Sequence, residues 1–155
     1  MITELFPSGS LKMYLSKCDI GCDIFLAHIK NWSTQILEGL SFLHSQSPKI
    51  IHRDIKYDNV FVDSDGMQVT LGDFGLAVRV AEGNLVKEKE PKGTPEFVTP
   101  ECNDGEYNEL VNIYSFGMCL LEMVTGEYPY RECRNGIQIF KKVYTGVKPM
   151  SLENV

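Results

Sequence analysis

The sequence predicts an α+β domain that is mainly helical. Three observations lead to this fold class: a helical stripe of apolar residues between Phe25 and Leu43, an almost uniformly apolar run at 109–125, and two short apolar runs around Gly66. With 155 residues and 43% apolar content, the chain is long enough for one compact domain with a core. It contains no linker rich in Gly, Ser or Pro.

The first third of the chain predicts a short strand-like piece followed by two helices. MITELFPSGSL starts as an apolar segment and breaks at Pro7 and Gly9, after which Ser10 is a candidate N-cap for a short helix. Apolar residues then recur at positions 25, 29, 32, 36, 40 and 43. Spacings of three and four predict a long amphipathic helix.

The rest of the chain predicts a hairpin, an irregular segment and two more helices. VFV and MQVTL flank DSDG, which indicates a short hairpin with Gly66 in its turn. Residues 76–107 show no sustained period, which is typical of a long ordered loop with a function. Residues 109–125 favour a helix buried in the middle of a domain and ending at Gly126, and GIQIFKKVYTG predicts another amphipathic helix.

Composition excludes some classes of function. The net charge of -6 and the pI near 5.1 argue against a nucleic-acid surface, which needs clustered Lys and Arg. The five cysteines are odd in number and form no CxxC pair. The chain does not open with the basic residues and the apolar run that are typical of a secretion signal. We therefore expect reduced thiols in the cytosol, no nucleic-acid partner and no membrane span.

The segment IIHRDIKYDNVFV, residues 50–62, places a cluster of ionisable and amide side chains between two apolar runs. Asp54 lies five positions before Asn59, and Asp73 follows the second strand of the hairpin in GDFG. Because a hairpin returns the chain to its start, we expect Asn59 and Asp73 to be neighbours at its open end. Oxygen ligands of this kind suit Mg²⁺, which commonly binds through one or two carboxylates and the phosphates of a nucleotide. The pattern indicates an active cleft.

Three motifs in order give a specific resemblance. HRDIKYDN, then DFG, then GTPEFVTPE resemble the catalytic loop, metal-binding motif and activation segment of eukaryotic protein kinases. Lys56 and GTPEF are similar to the serine/threonine branch. TELFPSGSL and the stretch from YNELVNIYSFGMC to YTGVKP closely resemble the with-no-lysine (WNK) kinases, particularly the plant members.

The resemblance implies a protein-kinase-like fold and a division of the chain into functional segments. It implies the C-terminal lobe of a kinase domain with its hinge at 3–9, a catalytic loop at 52–59, an activation segment at 73–101 and a buried central helix at 109–125. The N-terminal lobe, with its glycine-rich loop and phosphate-binding Lys, is expected to be missing from the chain.

The resemblance also assigns roles to residues. Asp54 would accept or orient the proton of a substrate Ser or Thr hydroxyl, Lys56 would steady the transferred phosphoryl group, and Thr94 would bond near both. Asn59 and Asp73 would hold Mg²⁺ against ATP. The backbone of Glu4 and Phe6 would contact adenine, with Phe61 beneath the ring. His52 is expected to be a buried structural ring near Phe74.

The chain departs from the family pattern at several positions. Phe74 stands where WNK members usually have Leu, a position that contributes to chloride sensing. Asn112 replaces an Asp that in most kinases accepts backbone N–H groups of the catalytic loop, and its amide oxygen is a weaker acceptor. Glu101, if buried, would lack its usual Arg partner.

The activation segment departs from the pattern in its phosphorylation sites. Between Asp73 and Gly93 there is no Ser, Thr or Tyr. We expect Glu90 or Glu88 to supply a permanent counter-charge to Arg53 in place of a phosphate, the alternative being that KEKEPK is a solvated charge run.

Three functions remain open at this point. The first is part of an active serine/threonine kinase, and the second is a truncated, catalytically inactive kinase-like protein that binds partners. The third, a small-molecule phosphotransferase, shares the Asp and Asn spacing but is disfavoured by Lys56 and by GTPEFVTPE, which shapes a peptide site.

Overall fold

The computed structural model describes residues 6–17 and 22–155, apart from the side chains of residues 22–24 and 154. Within these residues it contains four α-helices and six short strands. The helices are α1 (Leu11–Leu15), α2 (Cys22–His44), α3 (Val111–Thr125) and α4 (Gly136–Tyr144). The strands are β1 (Lys49–Ile51), β2 (Val60–Val62), β3 (Val69–Leu71), β4 (Val78–Val80), β5 (Val86–Lys87) and β6 (Glu106–Tyr107). The chain forms two compact units, one with residues up to Phe42 and Tyr57–Asp73, the other with Leu43–Lys56 and Phe74–Val155.

The two predicted helices of the first unit are present. The Ser10 side chain caps α1 by accepting a hydrogen bond from the backbone N–H of Met13, as its position before the helix predicts. In α2, the predicted apolar stripe is the buried face of the helix from Ile29 to Leu43, whereas Phe25 at its start is only partly buried. Trp32 is fully buried, and its neighbours on the stripe, Ile36 and Leu40, are each 1% exposed.

The β2–β3 hairpin is attached to α2 by side-chain hydrogen bonds at its turn. The strands pair antiparallel with Val60 opposite Leu71, and Gly66 turns the chain with φ of 78°. The Trp32 indole N–H donates to the Gly66 carbonyl at 2.9 Å. Gln35 donates to the Met67 carbonyl on the same turn. These contacts fix where the hairpin lies and therefore where its open end is.

The second unit has its core around two small antiparallel strand pairs, β1 with β4 and β5 with β6. Buried side chains from both pairs, from the segment between β5 and β6 and from the start of α3 form one apolar cluster: Ile51, Val80, Val86, Val98, Cys102, Tyr107 and Val111. Strands β4, β5 and β6 lie in the stretch that the sequence predicts as an irregular loop. Each is only two or three residues long, too short for a periodic pattern to show.

Helix α3 begins two residues later than the apolar run predicts and ends as expected. Gly126 adopts φ of 67°, and its N–H donates to the Glu122 carbonyl. Eight residues of α3 are buried. Ile113 and Val124 are 42% and 47% exposed, so α3 is not buried on nearly all sides as its sequence predicts. In the part of the chain that the structure describes, no helix combines the length and the apolar character needed to cross a membrane.

Candidate active site

Three of the predicted site residues meet in the second unit. The Lys56 ammonium lies 3.0 Å from Asp54 Oδ2 and donates to Thr94 Oγ1 at 2.7 Å. Thr94 donates to Asp54 Oδ1 twice, from its hydroxyl at 2.8 Å and from its backbone N–H at 3.2 Å. The Asp54 side chain is 10% exposed and that of Lys56 is 21% exposed. The carboxylate is thus held in one orientation by an ammonium and a threonine.

The backbone brings these residues together through a close approach at Gly93. Gly93 has φ of 109°, and a Cβ added there would lie 2.5 Å from the carbonyl oxygen of Arg53. Arg53, directly before Asp54, also has a left-handed φ, at 69°. Left-handed backbone at a non-glycine residue costs free energy and persists where surrounding contacts enforce it. Gly93 therefore allows the Thr94 segment to pack directly against the chain that carries Asp54.

His52 has the structural role that the sequence predicts. Its ring is fully buried and lies 4.9 Å, centroid to centroid, from the ring of Phe74. Phe74 itself is 47% exposed. His52 supports the backbone near Asp54, and its Nδ1 is 3.4 Å from the Asp54 backbone N–H.

Asn59 and Asp73 belong to the first unit and lie at the open end of the hairpin. The Gly72 N–H donates to the Asn59 carbonyl at 2.9 Å, which places Asp73 one residue beyond that pair. Asn59 is 5% exposed, whereas Asp73 is exposed and has a left-handed φ of 55°. The hairpin therefore brings together the two positions whose oxygen atoms the sequence assigns to a metal. Among the described residues, no cluster of three or more His, Cys, Asp or Glu side chains could hold a metal by itself.

The predicted adenine-contacting residues are described in part. Phe6 and Phe61 pack with ring centroids 5.7 Å apart. A Cβ at Gly72 would lie 2.6 Å from the Phe61 ring, so the absence of a side chain at 72 leaves room for that ring. Glu4 and the start of the predicted hinge lie outside the described residues.

The guanidinium group of Arg53 is held by an ion pair and a network of hydrogen bonds. Its Nη1 lies 2.7 Å from Glu88 Oε1 and donates to the Tyr107 hydroxyl at 3.1 Å, and that hydroxyl donates to Glu88 Oε2 at 3.1 Å. Its Nε donates to the Leu76 carbonyl. Burial acts to raise the pKa of the Glu88 carboxyl, but the hydrogen bond and charge of Arg53 outweigh it and hold that pKa below its ordinary value.

The predicted counter-charge to Arg53 is therefore Glu88 and not Glu90. Glu88 directly follows β5, and its N–H donates to the Gly105 carbonyl beside β6, so the strand pair sets its position. Tyr107 lies in β6 and completes the network. Glu90 is exposed, and no ion pair joins it to any residue that the structure describes.

Asn112 makes the backbone contact that the sequence predicts for it. It is fully buried in α3, and its Oδ1 accepts a hydrogen bond from the Arg53 backbone N–H at 3.0 Å. Its Nδ2 lies 2.9 Å from Nε2 of His44, a contact that the sequence does not indicate. Glu101, by contrast, is exposed, so the predicted problem of a buried unpaired carboxylate does not arise.

Comparisons with known proteins find similarity over the residues that contain these motifs. A family model described as protein kinase domain matches residues 1–153. The chain is 55% identical over all its 155 residues to a protein named probable serine/threonine-protein kinase WNK10 of Arabidopsis thaliana, and it covers 28% of that protein. It is 54% identical to serine/threonine-protein kinase WNK8 of Arabidopsis thaliana, covering 26%, and 50% identical to probable serine/threonine-protein kinase WNK9 of Oryza sativa subsp. japonica, covering 36%. In both cases all of this chain is aligned. The chain thus spans about a quarter to a third of the length of these curated relatives.

Proposed function

This chain belongs to the protein kinase domain family, and we propose that it is the part of a serine/threonine kinase that orients a protein Ser or Thr hydroxyl and a metal ion for transfer of the γ-phosphoryl group of ATP. We assign it to the C-terminal lobe, with hinge 3–9, catalytic loop 52–59, activation segment 73–101 and central helix 109–125. The order of the three motifs and the relatives' coverage of the whole chain support this division.

The contact between Asp54, Lys56 and Thr94 is the observation that carries the proposal. Phosphoryl transfer needs little covalent chemistry from the protein, so positioning and charge neutralisation dominate the catalysis. A carboxylate held by Lys56 and Thr94 can accept or orient a hydroxyl proton without rotating away. Lys56, bonded to both groups, provides a positive charge beside the oxygen atoms that would gather negative charge during transfer. Thr94 fixes both partners and is a positioning residue.

The residues at the open end of the hairpin fit a Mg²⁺ nucleotide. One carboxylate and one amide oxygen are hard donors, and Mg²⁺ typically takes few protein ligands and completes its shell with phosphates and water. Asn59 and Asp73 would hold the ion, and Phe6 and Phe61 would contact the adenine together with the backbone of Glu4. When bound, the metal neutralises the charge of the phosphate groups. We also propose a cytosolic location, which the free thiols of Cys102, Cys119 and Cys133 support.

The test uses a chimera in which residues 1–155 replace the matched segment of the Arabidopsis relative that is 55% identical. We expect the chimera to phosphorylate protein Ser or Thr, and Asp54→Asn to lower kcat by about 10²- to 10⁴-fold with nucleotide binding retained. Asp104→Asn is the matched control. Asp104 is exposed and lies outside the segments assigned to catalysis, so its replacement should leave kcat unchanged. A folded chimera that binds nucleotide but phosphorylates nothing, or one whose activity survives Asp54→Asn, would contradict the proposal. The first of these results would favour an inactive, partner-binding protein.

A further inference from the structure

The contact between Asn112 and His44 constrains the hydrogen atoms of both side chains. A side-chain amide has an acceptor only at its oxygen and donors only at its nitrogen. The Arg53 backbone N–H is a donor, so it requires Oδ1 of Asn112 in front of it. Nδ2 of Asn112, a donor, therefore faces Nε2 of His44 at 2.9 Å. His44 can accept that hydrogen bond only as a neutral ring with its proton on Nδ1.

We propose that His44 is a positioning residue for the catalytic loop, and that its neutral ring fixes the Asn112 amide, which in turn holds the backbone of Arg53 next to Asp54. The consequence for catalysis rests on the proposed kinase function. The geometry does not, because it concerns only the hydrogen bonds of His44, Asn112 and Arg53.

Protonation of His44 breaks this arrangement. A proton on Nε2 would place two donors against each other, and rotating the amide of Asn112 would only move the same conflict to the Arg53 N–H. The charged groups that act on His44 are Glu109, which favours the protonated ring, and Lys49, which opposes it and is itself paired with Glu109. Burial is the largest influence and lowers the pKa of His44 below its ordinary value of 6.5.

The backbone at Arg53 has little conformational freedom. Arg53 holds a left-handed φ of 69°, and its carbonyl oxygen lies where a Cβ added at Gly93 would come within 2.5 Å of it. The Asn112 hydrogen bond is one of the contacts that enforce this conformation. Losing it should let the Arg53 peptide relax and loosen the orientation of Asp54 relative to Thr94.

The Asn at position 112, where most kinases have Asp, creates the pH sensitivity of the contact with His44. An Asp at this position would have two acceptor oxygens, so it could accept from the Arg53 N–H and from a protonated His44 at the same time. In Asn112→Asp, the charge of the new carboxylate would also stabilise the imidazolium. The pH dependence of the contact should then reverse its sign.

The first experiment measures the His44 ring nitrogens by NMR in the ¹⁵N-labelled 155-residue chain across a pH series. We expect the Nδ1–H tautomer and an apparent pKa below 6.5 in the unchanged chain, and an apparent pKa raised by about one unit or more in Asn112→Asp. An Nε2–H tautomer in the unchanged chain would overturn the proposal, and so would a His44 pKa that does not rise in a folded Asn112→Asp variant.

The second experiment keeps the proposal testable if Asn112→Asp does not fold. His44→Gln provides a carbonyl acceptor for Asn112 that does not titrate, whereas His44→Leu provides none. In the chimera, we expect His44→Gln to keep kcat near neutral pH and to remove the loss of kcat on acidification, and His44→Leu to lower kcat at every pH. An unchanged acid limb in His44→Gln would overturn the proposal. A chimera with no activity would contradict the proposed function and leave the NMR result to decide this inference.

Discussion

Replacing Glu88 by Ala should destabilise the second unit, because it removes the only carboxylate that pairs with Arg53 among the described residues. The Arg53 side chain is 10% exposed, and that of Glu88 is 27% exposed. Arg53 would keep its bonds to the Leu76 carbonyl and the Tyr107 hydroxyl, but both of these partners are neutral. The guanidinium charge would therefore stay mostly buried without a counter-charge.

The expected loss of stability follows from how far the Arg53–Glu88 ion pair is exposed to solvent. Breaking a fully buried pair costs about 3–5 kcal/mol, and an exposed pair contributes about 0–1 kcal/mol. Since water reaches part of Glu88 and can enter the space that its side chain leaves, we expect Glu88→Ala to lower the free energy of unfolding by about 2 kcal/mol. Glu88→Gln removes the counter-charge but keeps an acceptor oxygen for the charged Arg53, so it should cost less than Glu88→Ala.

The assay is urea denaturation of the 155-residue chain followed by circular dichroism, with Glu90→Ala as the matched control. Glu90 is exposed and only two residues away, so its loss should change stability little. The pKa of Glu88 is lowered in the folded chain, so the stabilisation is fully present above the ordinary value of 4.5 and is lost as pH falls through the folded value. Equal stabilities of Glu88→Ala and Glu90→Ala at neutral pH would refute the reasoning.

The same network has a consequence for regulation of the proposed kinase. Phosphate in an activation segment commonly acts by pairing with an Arg, and here Glu88 already occupies that position beside Arg53. In the chimera we expect phosphatase treatment to leave kcat unchanged and Glu88→Ala to lower it, with Glu90→Ala again as the control. Loss of activity on dephosphorylation would show that the carboxylate does not replace a phosphate.

Two further predictions concern stability. Gly93→Ala should cost about 1–3 kcal/mol more than Gly83→Ala, because both glycines have left-handed φ but only a Cβ at 93 meets the Arg53 carbonyl; urea denaturation measures the difference, and equal costs would contradict the close approach. Trp32→Phe should cost about 1–3 kcal/mol by leaving the Gly66 carbonyl without its indole donor, and a change well below this range would show that the turn finds another donor.

The sequence predicts the parts of the fold that have long or distinctive patterns. The stripe in α2, the cap at Ser10 and the hairpin turn at Gly66 are all confirmed, because each depends on local periodicity or on one residue's backbone preference. The resemblance to plant WNK kinases is confirmed by relatives that align with the whole chain. Strands β4, β5 and β6 are not predicted, since pairs of two or three residues depend on distant partners.

The candidate site also contains residues that the sequence indicates and residues that it does not. The sequence indicates Asp54, Lys56 and Thr94 by their motifs, and the structure shows them in contact. It does not indicate Tyr107 or His44, because the contact of Tyr107 with Arg53 and that of His44 with Asn112 join residues far apart in the chain that only the fold brings together. The sequence alone does not tell whether Glu88 or Glu90 pairs with Arg53. The pairing of β5 with β6, which sets the position of Glu88, decides between them.

The pairing of β5 with β6 also affects how this stretch of chain can change in length. Val86 pairs with Tyr107 and Lys87 with Glu106, so the residues between them form a loop closed at its base. Once a loop is closed, doubling its length costs only about 0.6 kcal/mol of additional entropy. Residues 89, 90 and 92 are exposed and lie between Glu88 and the close approach at Gly93. Insertions there would lengthen the loop while the strand pair keeps Glu88 beside Arg53, so variation in length between related chains is best tolerated at these positions.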